Sequence, residues 1–144
     1  ETEVEDLKNA LANLEIDAIV SGALRSDYQK TRLERMCEEL DIKSFTPLWH
    51  QSSESHMDNL IQNGFKVMIT GVSSEGLNRD WLGCVLDETS LSELRGLARK
   101  YRFNIDGEGG EYETLVVGGP HMQGELNVEF QIHWDGVRGH LEFV

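Results

Sequence analysis

The chain has 144 residues, room for one ordinary domain or parts of two small ones, and its 39% apolar content suffices for a packed core. A formal charge of −13 excludes a general nucleic-acid binder, which needs a basic stripe, and opposes an anionic membrane surface. No apolar run approaches a membrane span, and Cys37 and Cys84 have neither metal-type spacing nor a disulfide framework around them, so a cytoplasmic setting is expected.

Thr2 with Glu5 makes a capping box ahead of a helix carrying Val4, Leu7, Leu11 and Leu14 on one stripe. The run Ile16-Asp17-Ala18-Ile19-Val20 reads as a buried strand. Ser26 with Gln29 opens a second helix whose inward face is Leu33, Met36, Cys37 and Leu40, so Cys37 reads as a structural thiol. A strand over 44–49 follows, then a helix over 53–63 with Met57, Leu60 and Ile61 inward and Gly64 as its stop, then a strand over 65–72. This alternation predicts a parallel α/β sheet. Three strands make a thin sheet, and the chain begins at Glu1 rather than Met, so further strands upstream are expected.

After residue 72 the character changes. The polar stretch 73–80 marks the expected boundary. Ser90 with Glu93 caps a fourth helix bearing Leu91, Leu94, Leu97, Ala98 and Tyr101. Leu126, Val128, Phe130, Ile132 and Trp134 then alternate with polar residues, as do Val137, Gly139, Leu141 and Phe143 beyond Asp135-Gly136. A two-residue Asp-Gly loop predicts a hairpin pairing Trp134 with Val137, Phe130 with Leu141 and Val128 with Phe143. The expected fold class is α/β: a parallel-sheet portion over 1–72, then a small α+β domain over 73–144 ending in an antiparallel hairpin.

Two stretches carry chemistry. Gly107-Glu108-Gly109-Gly110-Glu111-Tyr112-Glu113-Thr114 crowds three carboxylates among three glycines. Carboxylates so close repel unless a cation or backbone N–H groups hold them, so the stretch reads either as a polar substrate or metal–nucleotide site, or as an acidic surface turn. Ser21-Gly22-Ala23-Leu24 joins the first strand to the Ser26 helix, at the strand end where open α/β sheets bind ligands. Capping explains Ser26 and Gln29 but not Tyr28 or the small residues Gly22 and Ala23. The five histidines are scattered without metal-site spacing, and no metal ligands are assigned. There is no Walker loop, Rossmann fingerprint or Gly-x-Ser-x-Gly elbow.

Together, Ser21-Gly22-Ala23-Leu24-Arg25-Ser26-Asp27-Tyr28-Gln29 with Arg32, and the later Gly107–Thr114 block, resemble segments of the diphthine–ammonia ligase family. Gly71-Val72-Ser73, Gly76-Leu77 and Trp81-Leu82-Gly83 resemble its connecting segment. The likeness runs from Val4 to Val117. It implies an N-type ATP pyrophosphatase: the C-terminal part of a HUP-like ATP-binding domain over 1–72 and a substrate-binding domain over 73–144. The implied reaction amidates diphthine on translation elongation factor 2, using ATP and ammonium and releasing AMP and pyrophosphate. By this resemblance Gly22, Ala23, Ser26, Tyr28, Gln29 and Arg32 contact the nucleotide. Glu108, Glu111 and Glu113 serve catalysis by holding the substrate's cationic arm or a Mg²⁺ ion that bridges to phosphate. The family's Ser-Gly-Gly-Lys-Asp-Ser phosphate loop is absent from this sequence, so these 144 residues alone are expected not to turn over ATP. A non-catalytic nucleotide-binding or protein-interaction module, and a ligase for another carboxylate, remain as alternatives. Sheet edges left open by missing strands raise the prospect of a homo-oligomer.

Overall fold

The computed structural model describes residues 2–144, with side chains from residue 3 onward, so the Thr2 side of the first capping box lies outside the described residues. The chain divides into two compact units, Glu1–Gln51 and Ser52–Val144.

In the first unit, helix α1 (Thr2–Leu11) leads to strand β1 (Ala18–Val20), helix α2 (Asp27–Glu39) and strand β2 (Lys43–Phe45). The two strands pair in parallel, Ala18 with Lys43 and Val20 with Phe45. Ser26 caps α2 as expected, its hydroxyl accepting the Gln29 N–H at 3.3 Å. Met36 and Cys37 are buried on the inward face of α2, and Ala23 and Leu24 are buried in the loop before it.

The second unit begins with helix α3 (Ser53–Gln62), capped by Ser52, and strand β3 (Lys66–Val72). A short 3-10 turn at Arg79–Trp81 precedes helix α4 (Glu88–Tyr101), followed by strands β4 (Tyr112–Gly118), β5 (Phe130–Trp134) and β6 (Gly139–Phe143). The sheet order is β4-β3-β6-β5, and every neighbour is antiparallel. The core packs Ile69 and Val72 of β3 with Leu91, Leu94 and Ala98 of α4, Trp81, Leu82 and Leu141. Arg95 of α4 ties down α3 by donating to the Glu54 carboxylate and, at 2.8 Å, to Asp58.

The fold is thus mixed α/β, with a parallel pair of strands and an antiparallel four-stranded sheet. Several details differ from expectation: the strand expected over 44–49 ends at Phe45, and the first strand, expected to be buried, leaves Val20 71% exposed because this two-stranded sheet offers no further neighbour to cover it. The strand after Gly64 does not extend the parallel sheet. β3 sits in the middle of the antiparallel one, where burial on both faces gives the same unbroken apolar run that a parallel strand shows. The boundary expected after residue 72 falls within the second unit, since α3 and β3 pack into its core. Helix α4 starts earlier than Ser90. Asp87 is its cap, accepting the Ser90 N–H at 2.7 Å while the Ser90 hydroxyl accepts the Asp87 N–H at 2.8 Å.

The last difference is the hairpin register. Phe130 pairs with Phe143, Ile132 with Leu141 and Trp134 with Gly139, a slip of two residues that leaves a four-residue loop. The Asp135 carboxylate accepts the N–H groups of Val137 (2.8 Å) and Arg138 (2.7 Å), and the Asp135 N–H closes on the Arg138 carbonyl at 3.0 Å. Those bonds favour the longer loop over the two-residue turn. A slip of two preserves the faces of both strands, so the alternation survives the change.

Candidate functional site

The glycine- and glutamate-rich stretch leads into β4 as a turn folded around one carboxylate. Gly107 and Gly110 hold positive φ angles of 73° and 78°, which reverse the chain twice within four residues. Glu111 points back into that turn. Its carboxylate accepts the Asn104 N–H at 2.9 Å, the Asn104 side-chain amide at 3.1 Å and the Gly109 N–H at 2.8 Å. A Cβ on residue 109 would lie 2.6 Å from this carboxylate, so Gly109 must lack a side chain for the fold-back to occur. The charge of Glu111 is therefore answered by backbone and amide donors of its own loop, one of the two ways such a carboxylate can be held.

Tyr112 anchors the turn from beneath. Its ring is buried and its hydroxyl donates to the Ile105 carbonyl. Burial, with the nearby charges of Asp106 and Glu111, pushes the phenol well above the ordinary tyrosine range, so it is a neutral donor and packing group. Ser73, directly after β3, clamps the other side, its hydroxyl donating to the Gly110 carbonyl at 2.5 Å and its N–H to the Glu111 carbonyl at 2.9 Å.

The three glutamates part company here. Glu111 is turned into the loop, Glu108 is exposed at the turn, and Glu113 is exposed on β4. Glu113 lines a groove of about 480 Å³ at the end of the sheet, together with Gly71, Ser73, Gly110, His133, Trp134, Arg138 and His140. Sequence reading had singled out neither Gly71 as its floor nor Arg138. The signal for Arg138 lies in the hairpin loop, which was expected to be two residues long.

In the first unit, the loop before α2 is settled locally: Ser21 Oγ accepts the Ala23 N–H at 3.2 Å and Ser26 Oγ the Gln29 N–H. Gly22 is exposed, with no atom within 4 Å of where a Cβ would stand, so its backbone is open to a ligand. Tyr28 and Arg32 lie one turn apart on α2. The guanidinium sits 4.8 Å from the ring centre and also donates to the phenol oxygen. Both line a second groove of about 510 Å³ against α1, with Lys8 and Arg35. The six residues matched to the nucleotide therefore fall in two groups: Gly22, Ala23, Ser26 and Gln29 at the loop and helix start, and Tyr28 and Arg32 on the flank of α2. The Gly22 backbone is open, and the groove that holds Arg32 also carries the carboxylates of Glu5 and Glu39, the latter paired with Lys8. Among the described residues no group of three or more His, Cys, Asp or Glu side chains is placed to hold a metal ion, and none of their helices is long and apolar enough to cross a membrane.

These features define a two-unit mixed α/β protein whose second unit sets a carboxylate-bearing turn beside an open groove. Two protein-family models match it, the diphthamide synthase C-terminal domain over residues 52–143 and the diphthamide synthase N-terminal domain over residues 1–44. The chain belongs to the diphthamide synthase family. Among curated relatives, the diphthine–ammonia ligase of Schizosaccharomyces pombe is 37% identical over 123 residues, covering 82% of this chain and 20% of that protein. The protein of the same name from Homo sapiens is 35% identical over 132 residues, covering 88% of this chain and 49% of its own length. That from Saccharomyces cerevisiae is 30% identical over 141 residues, covering 84% and 20%. The chain thus spans about half the length of the human relative and about a fifth of the two yeast ones.

Proposed function

We propose that this chain forms part of an ATP-dependent ligase that converts diphthine to diphthamide on translation elongation factor 2. The observation that carries this reading is the family match across both units, joined to a turn and groove that display a free carboxylate on a rigid frame. In the balanced reaction, a substrate carboxylate oxygen attacks the α-phosphorus of ATP and pyrophosphate leaves. Ammonia then attacks the acyl carbon and AMP leaves with the oxygen. Activation is needed because a carboxylate becomes an acyl donor only once its oxygen is a good leaving group.

In this reading the first unit is the C-terminal part of a HUP-like nucleotide domain. Gly22 and Ala23 offer backbone to the nucleoside, Ser26 and Gln29 shape the start of α2, and Tyr28 carries Arg32 toward a phosphate. The second unit holds the acyl substrate. Glu113 and Glu108 face solvent and meet its cationic arm, while Glu111 keeps the turn in shape. A Mg²⁺ ion would neutralise phosphate charge here, with Glu108 or Glu113 the exposed carboxylates that could reach it. With no phosphate loop in its sequence, the 144-residue chain alone does not turn over ATP, and the setting is cytoplasmic.

AMP release by the parent protein, supplied with diphthine-bearing elongation factor 2 or with small carboxylic acids, tests the reading. Release only with the elongation factor supports it. Release with small acids alone moves the assignment to another carboxylate, and no release with any acyl substrate points to a non-catalytic nucleotide-binding module. Replacing Glu113 with Gln is expected to raise the KM for the elongation factor about tenfold or more, the scale of one lost charge-assisted contact. The KM for ATP should be unchanged.

A further inference from the structure

β5 is the last strand in the order β4-β3-β6-β5, so one of its edges is open. Its pairing with β6 tells which backbone groups that edge carries. The Asp135 N–H donates to the Arg138 carbonyl and the Val144 N–H to the Glu129 carbonyl, which marks these as hydrogen-bonded pairs. Bonded and non-bonded pairs alternate along an antiparallel ladder, so Gln131 and His133 also bond to β6, opposite Glu142 and His140. The N–H and C=O groups of Phe130, Ile132 and Trp134 therefore point away from the sheet, and among the described residues no strand lies there to take them. The side chains of the same three residues pack against the core and are only partly buried.

The opposite edge of the sheet is better guarded. The ladder of β4 shifts register between Lys66 and Val67 and again between Ile69 and Gly71, and the Leu126 N–H takes the Val117 carbonyl at 2.7 Å. Bulges and covering segments of this kind keep a foreign strand off an edge. β5 has neither, since its register with β6 is unbroken from Phe130 to Trp134, and it contains no Pro or Lys. An open edge with a half-covered apolar row is a template for another strand.

The sequence of β5 says which strand fits. About a two-fold axis through Gln131, antiparallel pairing sets Phe130 opposite the partner's Ile132, so their outward backbone groups meet and the apolar row on the core face lengthens. On the other face Glu129 comes opposite the partner's His133. The His133 ring meets Glu142 through Nε2 at 2.6 Å, which leaves Nδ1 for the partner's Glu129. An axis through Ile132 would instead oppose Glu129 to the partner's Asp135 on both sides, and an axis through Phe130 brings no opposite charges together. A one-residue shift would turn the apolar row of one copy to the polar face of the other. We propose that β5 pairs with β5 of a second copy about an axis through Gln131, joining the two sheets into one. Each copy carries a net charge of −13, so the contact is weak and needs salt to screen the repulsion between copies. The second copy also adds to the groove, because the partner's Glu129 stands beside His133, which lines it.

Sedimentation equilibrium of the 144-residue chain in about 0.15 M salt, from roughly 10 µM to 1 mM, should show the mass climbing from monomer toward dimer, as suits a contact below standard interface size. Over that range exchange of the Phe130 and Ile132 amides should slow about tenfold, with Thr114 on β4 unchanged. Gln131→Lys sets two exposed lysines face to face across the axis and should weaken the dimer about fivefold. Thr114→Lys should leave it unchanged. In a Cys84→Ser background, Gln131→Cys should form a disulfide-linked dimer in oxidised glutathione and Thr114→Cys should not. Slow exchange of Ile69, fully buried in β3, verifies that each variant folds. A chain that stays monomeric at the highest concentration overturns the proposal and leaves the edge to a partner of another kind. A dimer that cross-links through Thr114 and not through residue 131, or that is indifferent to Gln131→Lys, overturns it as well.

Discussion

The two units of this chain are built on different scales of core. Among the described residues of the first, four apolar side chains are buried, Ala23, Leu24, Met36 and Cys37, and the sheet is a single parallel pair. In the second, sixteen buried residues form one cluster around a four-stranded sheet. Burial on the scale of the second unit can hold a tight turn such as 107–111 in one shape. The difference teaches where precision can reside: the second unit fixes the Glu111 carboxylate inside its turn, while the first presents an open loop and a helix flank.

Paired substitutions at equally buried sites probe that contrast. Leu94, fully buried in α4, should cost about 2–5 kcal/mol on replacement by Ala, read as a lower urea midpoint of the second unit. Met36 is 2% exposed in the smaller core, and Met36→Ala should strip amide protection from residues 18–45 while Val67 and Ile69 keep theirs. Loss of protection in both units would break the division.

Tyr112→Phe removes the donor to the Ile105 carbonyl and should cost about 1–3 kcal/mol, the range for leaving a buried acceptor unpaired. It also changes the pH profile. A phenol raised above its ordinary value contributes stability that is fully present below pH about 10 and is lost as pH climbs through the folded-state value, because the unfolded chain gives up its proton first. Denaturant midpoints at pH 9, 10 and 11 should fall in the wild type, and fall less steeply in Tyr112→Phe.

Smaller and more local is Glu111→Gln, which keeps the shape but weakens the bonds from Asn104 and Gly109. Exchange of those two amides should speed up about tenfold, with the β3 amides unchanged. Smallest is Asp135→Ala. Backbone N–H groups of Arg138 and Val137 hold this carboxyl below the ordinary aspartate range, so its contribution is present above pH about 4 and fades as pH falls through the lower folded value. The variant should loosen the hairpin loop, seen as lost downfield shifts of the Val137 and Arg138 amides, with the β5–β6 pairs retained.

Much of this was legible before any coordinates. The Ser26 cap, the Met36–Cys37 face of α2 and the hairpin strands follow from local rules that depend on a few neighbouring residues. The failures share a cause: each turned on a choice between two locally sound options. Val67 to Val72 reads the same in a parallel or a central antiparallel strand, and only the partners β4 and β6 decide. Asp135 serves a two-residue turn or a four-residue loop, and its side-chain bonds to Val137 and Arg138 tip the balance. In the glutamate block the spacing gave three equivalent carboxylates. Their division into Glu111 within the loop and Glu113 over Gly71 depends on the Asn104 donors and the cross-strand register, which no local pattern contains.

The measurement that bears most directly on the proposed activity follows nitrogen. The parent protein is supplied with ATP, ¹⁵N-ammonium and diphthine-bearing elongation factor 2, and the modified peptide is weighed by mass spectrometry alongside AMP release. The ligase account predicts ¹⁵N in the new amide, with one AMP formed per amide. ATP consumed with no labelled amide, or an amide formed without AMP, would contradict it.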